Sequence, residues 1–243
     1  MSTIPPTSPG AAMTAEPTTD VAGGRRYGGA DADERRTRRR AQLVEAGLDL
    51  FGEHGYPNVS VKRVCDHAGL TQRYFYESFA DRTALLVAVY EECVTTARAE
   101  VLTAAAGYLD DGRPIAADDV TPAARAILGT FLDTLSGDPR RARVILFEVV
   151  GVDPTVESVR MRAIHDWAQL LLSLIMGERA PSPVQRLAAV GLIGAITQLL
   201  VDWYLLSVAT EHVDIGTTEP ADLGTILDVL VEMLTATYDR LMR

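Results

Sequence analysis

Lysine is almost missing from this sequence: of 23 basic residues only Lys62 is a lysine. No glycine-rich segment leads into it, which excludes a phosphate loop of the GK[ST] kind. Cysteine is nearly as scarce. Cys65 and Cys93 are the only thiols, and both fall on apolar helical faces, so they read as reduced core residues of a cytoplasmic protein rather than as a disulfide scaffold. The histidines, His54, His67, His165 and His212, are scattered. Cys65 and His67 stand at i, i+2 and point to different sides of a helix, so no metal site with recognisable spacing is expected. Neither G-x-S-x-G nor H-E-x-x-H occurs, and catalytic residues and cofactors are not expected. Long apolar runs are also lacking. Leu170 to Met176 is too short to cross a bilayer, and the run from Leu187 is interrupted by Thr197, Gln198 and Asp202. Both are expected in a core or an interface, with no membrane partner.

The chain of 243 residues carries a net charge of −10 and is 47% hydrophobic, enough to bury a sizeable core. The charge is unevenly spread. Between Arg25 and Arg82 stand eleven basic and nine acidic residues, leaving that stretch near +2 and the remainder near −12. Attraction to a polyanion is local at a Debye length of about 8 to 10 Å, so a basic face at one end suffices. Residues 1 to about 32 are rich in Pro, Gly, Ser, Thr and Ala without apolar periodicity and are expected to be disordered. No apolar segment follows a charged start, so a signal peptide is not expected. Arg25, Arg26, Arg35, Arg36, Arg38, Arg39 and Arg40 then form a basic arm, read either as a solvated charge run or as a strap along a nucleic-acid backbone.

The chain is organised around Ser60 to Phe79, SVKRVCDHAGLTQRYFYESF. Gly69 divides it into two short helices, since it tolerates the left-handed conformation of a helix end. Val61, Val64 and Cys65 share one face before the glycine, and Phe75 and Phe79 share one after it. Lys62, Arg63, Thr71, Gln72, Arg73, Tyr74, Tyr76 and Ser78 are left outside. Arg can grip guanine, Gln can grip adenine, and Lys, Thr and Tyr suit phosphates, so the second helix is dressed for a major groove. A bare solvated hairpin would have the same apolar pattern. A first helix from about Ala32 to His54 should cover the hairpin with Leu43, Ala46, Gly47, Leu50 and Phe51. A fourth, capped by Asp81, should run to about Ala106 as a rod joining two units.

From Arg39 to Leu86 the order of parts resembles the DNA-binding domain of the TetR family of bacterial one-component regulators. The resemblance rests on Phe51-Gly52-Glu53-His54-Gly55-Tyr56, the Ala68-Gly69-Leu70-Thr71 turn, Tyr76, Phe79 and Asp81-Arg82. Cys65, Ala80 and Arg82 depart from the family's usual alanine, proline and lysine. The last keeps the charge but changes the geometry of a phosphate contact. The resemblance implies an all-α fold of about nine helices: a tail with a basic arm over 1–32, a three-helix DNA-binding domain with a helix-turn-helix over 33–82, and a helical effector-binding and dimerisation domain over 83–243.

Farther along, a capping residue followed by proline opens each helical pattern, at Thr121-Pro122, Asp138-Pro139, Asp153-Pro154, Ser182-Pro183 and Glu219-Pro220. Gly137, Gly151 and Gly177 close three of them. The last two helices are apolar on more than one face. Ala188, Gly191, Ala195 and Gln198 form a small-residue stripe on one. Leu227, Leu230 and Leu234 belong to a broad stripe on the other, with Leu223, Ile226, Met233 and Tyr238. The resemblance implies that they pair with a second copy in a four-helix bundle, placing two recognition helices about 34 to 36 Å apart on a near-palindromic operator. Phe131, Phe147, Glu148, Met161, His165, Trp167, Trp203 and Tyr204 are core residues or the lining of a pocket. For the effector that the family's second domain generally binds, Phe147, His165, Trp167 and Trp203 are the chosen candidates, suiting an apolar or aromatic molecule. The expected function is a homodimeric repressor released from double-stranded DNA by a small molecule. The alternative is a helical dimeric ligand-binding or adaptor protein without DNA affinity, with an enzyme on the same scaffold third.

Overall fold

The structure is a computed structural model, and it describes residues 24–109, 113–207 and 221–242. Among the described residues all regular structure is helical: α1 Gly24–His54, α2 Val61–Ala68, α3 Gln72–Ser78, α4 Arg82–Ala106, α5 Val120–Gly137, α6 Pro139–Arg143, α7 Pro154–Met176, α8 Pro183–Ser207 and α9 Leu223–Thr237. Two π-helical segments, Val144–Glu148 and Tyr238–Met242, follow α6 and α9. The all-α architecture agrees with the sequence pattern. Of the stretch expected to be disordered, 1 to about 32, residues 24–32 are instead helical as part of α1, while 1–23, the side chains of Arg25 and Arg26, and the Glu219-Pro220 step lie outside the described residues.

Helix α1 begins at Gly24 rather than near Ala32. Ion pairs of Arg35 with Asp31 and of Arg36 with Asp33 run along its exposed early turns; spacings of four and three residues favour helix where no core helps. The remaining boundaries follow their caps. The Ser60 hydroxyl accepts the Arg63 N–H, and the carboxylates of Asp81, Asp138, Asp153 and Asp222 accept N–H groups of the turns they open. Ser182 and Gln185 cap α8 reciprocally, each side chain accepting the other's N–H. Gly69, at φ 65°, ends α2 in the left-handed conformation. Thr121-Pro122 is the exception. Helix α5 starts at Val120, which places Pro122 in the first turn, where an absent N–H loses no intrahelical bond.

Residues 39–243 form one compact unit with two hydrophobic clusters. Leu43, Phe51, Val64, Phe75, Leu85, Leu86 and Val89 centre the first, which unites α1 to α3 with the start of α4 and takes in Val144, Val149, Val156 and Val159. The second joins the far part of α4 to α5, α7, α8 and α9. Helix α4 therefore belongs to both. Helix α8 is long and apolar enough to cross a membrane by composition, yet it packs against α7 and α9. Only 28% of its most apolar window is buried, so one face is left uncovered.

Candidate nucleic-acid interface and effector cavity

Phe75 and Phe79, with ring centroids 5.7 Å apart, anchor the inner face of α3. That burial turns Thr71, Gln72, Arg73 and Tyr76 outward, with Lys62 and Arg63 exposed beside them on α2; Tyr74 and Ser78 are half-buried. Tyr76 is 58% exposed, its ring meeting that of Phe75 edge to face at 5.3 Å. The cations are held loosely. Arg73 Nε lies 3.0 Å from Glu77 and Lys62 Nζ lies 2.6 Å from Asp66, which raises the lysine pKa. Arg39 stacks 4.4 Å from the centre of the Tyr74 ring and is 3.8 Å from Glu77. Such surface pairs are weak and exchange readily for a phosphate. Arg82 differs. Its guanidinium donates to the Val59 carbonyl at 2.5 Å and lies 4.1 Å from the centre of the Tyr56 ring. It ties the loop before α2 to α4, so its charge is already engaged in holding the domain together.

A polar clasp holds this domain to α6 and the segment after it. Asp49, on α1, accepts from Arg140 and lies 2.8 Å from His67 Nε2. Arg140 and Arg141 both engage Asp138. Burial alone would raise the Asp138 carboxyl, but hydrogen bonding and charge from Arg140 hold it below the usual range. Glu148, 9% exposed, accepts the Tyr56 N–H at 2.5 Å and the Arg143 Nε–H at 2.7 Å, while Arg143 also donates to the Glu53 carbonyl. The approach is close: a Cβ added at Gly52 would stand 2.4 Å from Arg140 Cβ. Glu148 was expected among the pocket candidates, whereas it is turned to the domain of α1 to α3. The signal was present, since a carboxylate within the apolar run VILFEVV must find buried partners.

The second cluster encloses a cavity of about 150 Å³ between α4, α5, α7 and α8, walled by Tyr90, Val94, Ala97, Val101, Leu128, Phe131, Ile145, Leu146, Trp167, Leu174, Ile196 and Leu234 among others. Phe131 meets Trp167 edge to face at 5.4 Å. Of the expected ligand residues, Trp167 lines the cavity. Phe147 packs instead on Tyr204 at 5.0 Å, Trp203 is buried beside Tyr204, and His165 and Met161 are exposed. The reason is the helical period: Ile164, Trp167 and Leu171 turn inward on α7, and His165 does not share their face. Most of the lining is aliphatic, and in a sequence such residues cannot be told from core.

On α8, Gly191 and Gln198 are exposed and Ala188 and Ala195 half-buried, with open space around Gly191. On α9 the expected interface leucines face inward. Leu230 and Leu234 are buried, and Leu227 reaches to 3.7 Å from where a Cβ on Gly129 would be, because that stripe packs on α5. The exposed apolar residues of the two helices are others: Val184, Leu187 at 73%, Val229 and Met233. Among the described residues no group of three or more His, Cys, Asp or Glu side chains is placed to hold a metal ion.

Residues 43–89 match the family model of bacterial regulatory proteins, tetR family. The fold is similar to that of the fatty acid degradation regulator FadR from Bacillus halodurans, with a TM-score of 0.62, 17% identity, and 81% of this chain and 94% of that one covered. FadR from Bacillus subtilis, solved in complex with stearoyl-CoA, matches with a TM-score of 0.61 at 15% identity over 81% of this chain and 97% of that one. A transcriptional regulator from Pseudomonas aeruginosa matches with a TM-score of 0.56 at 20% identity over 84% and 93%. At these identities the structural likeness speaks for the fold.

Proposed function

Taking as premise that this chain is a tetR-family transcriptional regulator, we propose that it is a cytoplasmic, homodimeric repressor that leaves a palindromic operator when a small apolar molecule fills the cavity. One observation carries the reading. Leu85, Leu86 and Val89 of α4 sit in the core of the DNA-binding domain, and Tyr90, Val94, Ala97 and Val101 of the same helix wall the cavity. A ligand that prefers one placement of α4 therefore biases the spacing of two recognition helices, and DNA must weaken the ligand by the same factor. Gln72 and Arg73 would read bases, and Lys62, Arg63, Thr71, Tyr74, Tyr76, Ser78 and Arg39 would meet the backbone. The second copy would cover the exposed apolar faces of α8 and α9, with Leu187, Val184, Val229 and Met233 joining Gly191 and Gln198 there. The stearoyl-CoA bound by the Bacillus subtilis protein is in keeping with an apolar effector for this cavity.

Genome-wide mapping of sites bound by the tagged chain is the test. Enrichment of one imperfect palindrome, bound by the purified dimer and released by a molecule related to the neighbouring genes, is expected. Binding no tighter to mapped duplexes than to random ones would instead favour a dimeric ligand-binding protein without DNA affinity.

A further inference from the structure

The cavity lies against a cleft. Its wall at Tyr90, Val94 and Trp167 is shared with a second depression of about 390 Å³ between α4 and α7, lined farther out by Arg98 and Arg162. Tyr90, Val94 and Arg98 follow at i, i+4 and i+8 on α4, so one stripe leads from the apolar cavity to the cleft. It turns from apolar to charged on the way.

Two side chains on that stripe have unused valences. Tyr90 is 5% exposed, and its hydroxyl makes no hydrogen bond with any described residue. Among the described residues no fully enclosed side-chain polar atom lacks a partner, so this oxygen borders open space, namely the cavity and cleft that Tyr90 lines. Burial pushes its pKa up to about 12, and the hydroxyl is a proton donor at any working pH. Arg98 is half-buried and has no hydrogen bond or ion pair with a described residue. The cavity's other polar groups are committed: Arg160 to Glu157 at 2.6 Å, and the Thr197 hydroxyl to the Ile193 carbonyl at 2.8 Å. Glu91, Asp166 and Arg162 also line the cleft and are exposed, with Arg162 donating to the Ser158 hydroxyl at 3.4 Å, so the half-buried Arg98 is the cation best placed to hold an anion there.

We infer that the effector is an anionic amphiphile, with an apolar body in the cavity, an acceptor group at its neck bonded by the Tyr90 hydroxyl, and a negative charge farther out between Arg98 and Arg162. The rise of a helix puts the Arg98 backbone about 12 Å beyond Tyr90, and a long side chain leans back toward the helix N-terminus. Neck and charge are therefore separate groups a few bonds apart, unlike those of a simple fatty acid. This assignment rests on the reading of the chain as an effector-controlled regulator.

N-decanoylglycine offers that arrangement, an amide carbonyl at the neck and a carboxylate beyond, and its methyl ester keeps the neck without the charge. Titration calorimetry on the full chain is expected to give about tenfold tighter binding of the acid than of the ester. Arg98→Ala should erase that preference while leaving ester affinity unchanged, and Tyr90→Phe, which keeps the ring, should weaken both probes by a similar factor. Equal affinity for acid and ester in the wild type, indifference to both substitutions, or no binding of either probe would each overturn the assignment. Operator titrations on the same samples separate it from the underlying reading. Probe binding as expected with operator affinity unchanged would sink effector control and leave the ligand class standing. Specific operator binding with no probe bound would sink the ligand class alone.

Discussion

The DNA-binding domain is joined to the rest of the chain along two seams, one apolar and one that adds a polar clasp. Along α4 the seam is apolar: Leu85, Leu86 and Val89 are fully buried, and Gly47 lets α4 approach so closely that an added Cβ would stand 2.8 Å from a Val89 methyl. At α6 and the π-helical segment, where Val144 and the following Val149 also enter the domain's apolar cluster, the seam adds a polar clasp of Asp49 with Arg140 and of Glu148 with Arg143 and the Tyr56 N–H. Burial of apolar surface is non-directional and tolerates small sliding. Charge-assisted hydrogen bonds fix distance and angle. The first seam therefore supplies most of the holding energy, and the second sets the pose. Ile145 and Leu146 wall the cavity within the same π-helical segment that ends at Glu148, so the pose-setting seam also borders the cavity.

The largest effect is expected at the apolar seam. Leu86→Ala should cost about 2 to 5 kcal/mol of unfolding free energy through lost transfer energy and the cavity left behind, read as a lower urea midpoint at unchanged slope. A loss below about 1 kcal/mol, the scale of a surface change, would mean that α4 does not carry the junction. At the clasp, Glu148→Gln keeps the shape but removes the charge from the bond to Arg143. A cost of about 1 to 3 kcal/mol is expected, together with earlier proteolysis at the 55–59 loop than in the Leu86 variant at matched stability. Equal proteolysis patterns would mean that the polar seam has no separate role in pose.

A smaller effect comes from pH. Asp138 is held below its ordinary pKa when folded, so its contribution is fully present well above the unfolded value of about 3.9 and is lost as pH falls through that value toward the folded one. Between pH 7 and pH 3 the wild type should therefore lose more stability than Asp138→Asn, whose side chain does not titrate. Parallel losses in urea titrations at the two pH values would place the acid sensitivity elsewhere.

Much of this architecture was legible in the residues, and the illegible parts share a cause. Local chemistry announced itself: Ser60, Asp81, Asp138, Asp153 and Ser182 all cap the helices they were expected to open, and Gly69 adopts the left-handed turn. The outward face of α3 followed because burying Phe75 and Phe79 leaves Gln72 and Arg73 no other side. What failed depended on which of two apolar neighbours an element would choose. Leu230 and Leu234 suit an interface and a core equally well, and the choice was made by α5. Phe147 and Trp203 are aromatic wherever they stand, and only packing decides that Trp167 borders a cavity while they do not. Asp49 and Glu148 meet partners about ninety residues away, from Arg140 to Asp49 and from Glu148 to Tyr56, a pairing no local pattern encodes.

The smallest effect on stability, and the sharpest contrast with both seams, is expected at Arg73. Its side chain is 84% exposed and its one ion pair, with Glu77, lies on the surface four residues along the same helix, so Arg73→Ala should leave the urea midpoint unchanged within error. Arg82→Ala is the control, because removing a guanidinium held by the Val59 carbonyl and the Tyr56 ring should lower the midpoint measurably. On DNA the order should reverse. Arg73→Ala should lose about 1 to 3 kcal/mol of preference for one base pair in each half-site, while keeping its affinity for random duplex. Arg82→Ala should act on specific and random duplexes alike, and only as far as the domain it stabilises is loosened. Competition titrations against duplexes altered at single positions read the difference directly. If Arg73→Ala weakens every duplex equally and flattens the salt dependence by about one unit, the side chain meets phosphate, and the base-reading role on α3 falls to Gln72.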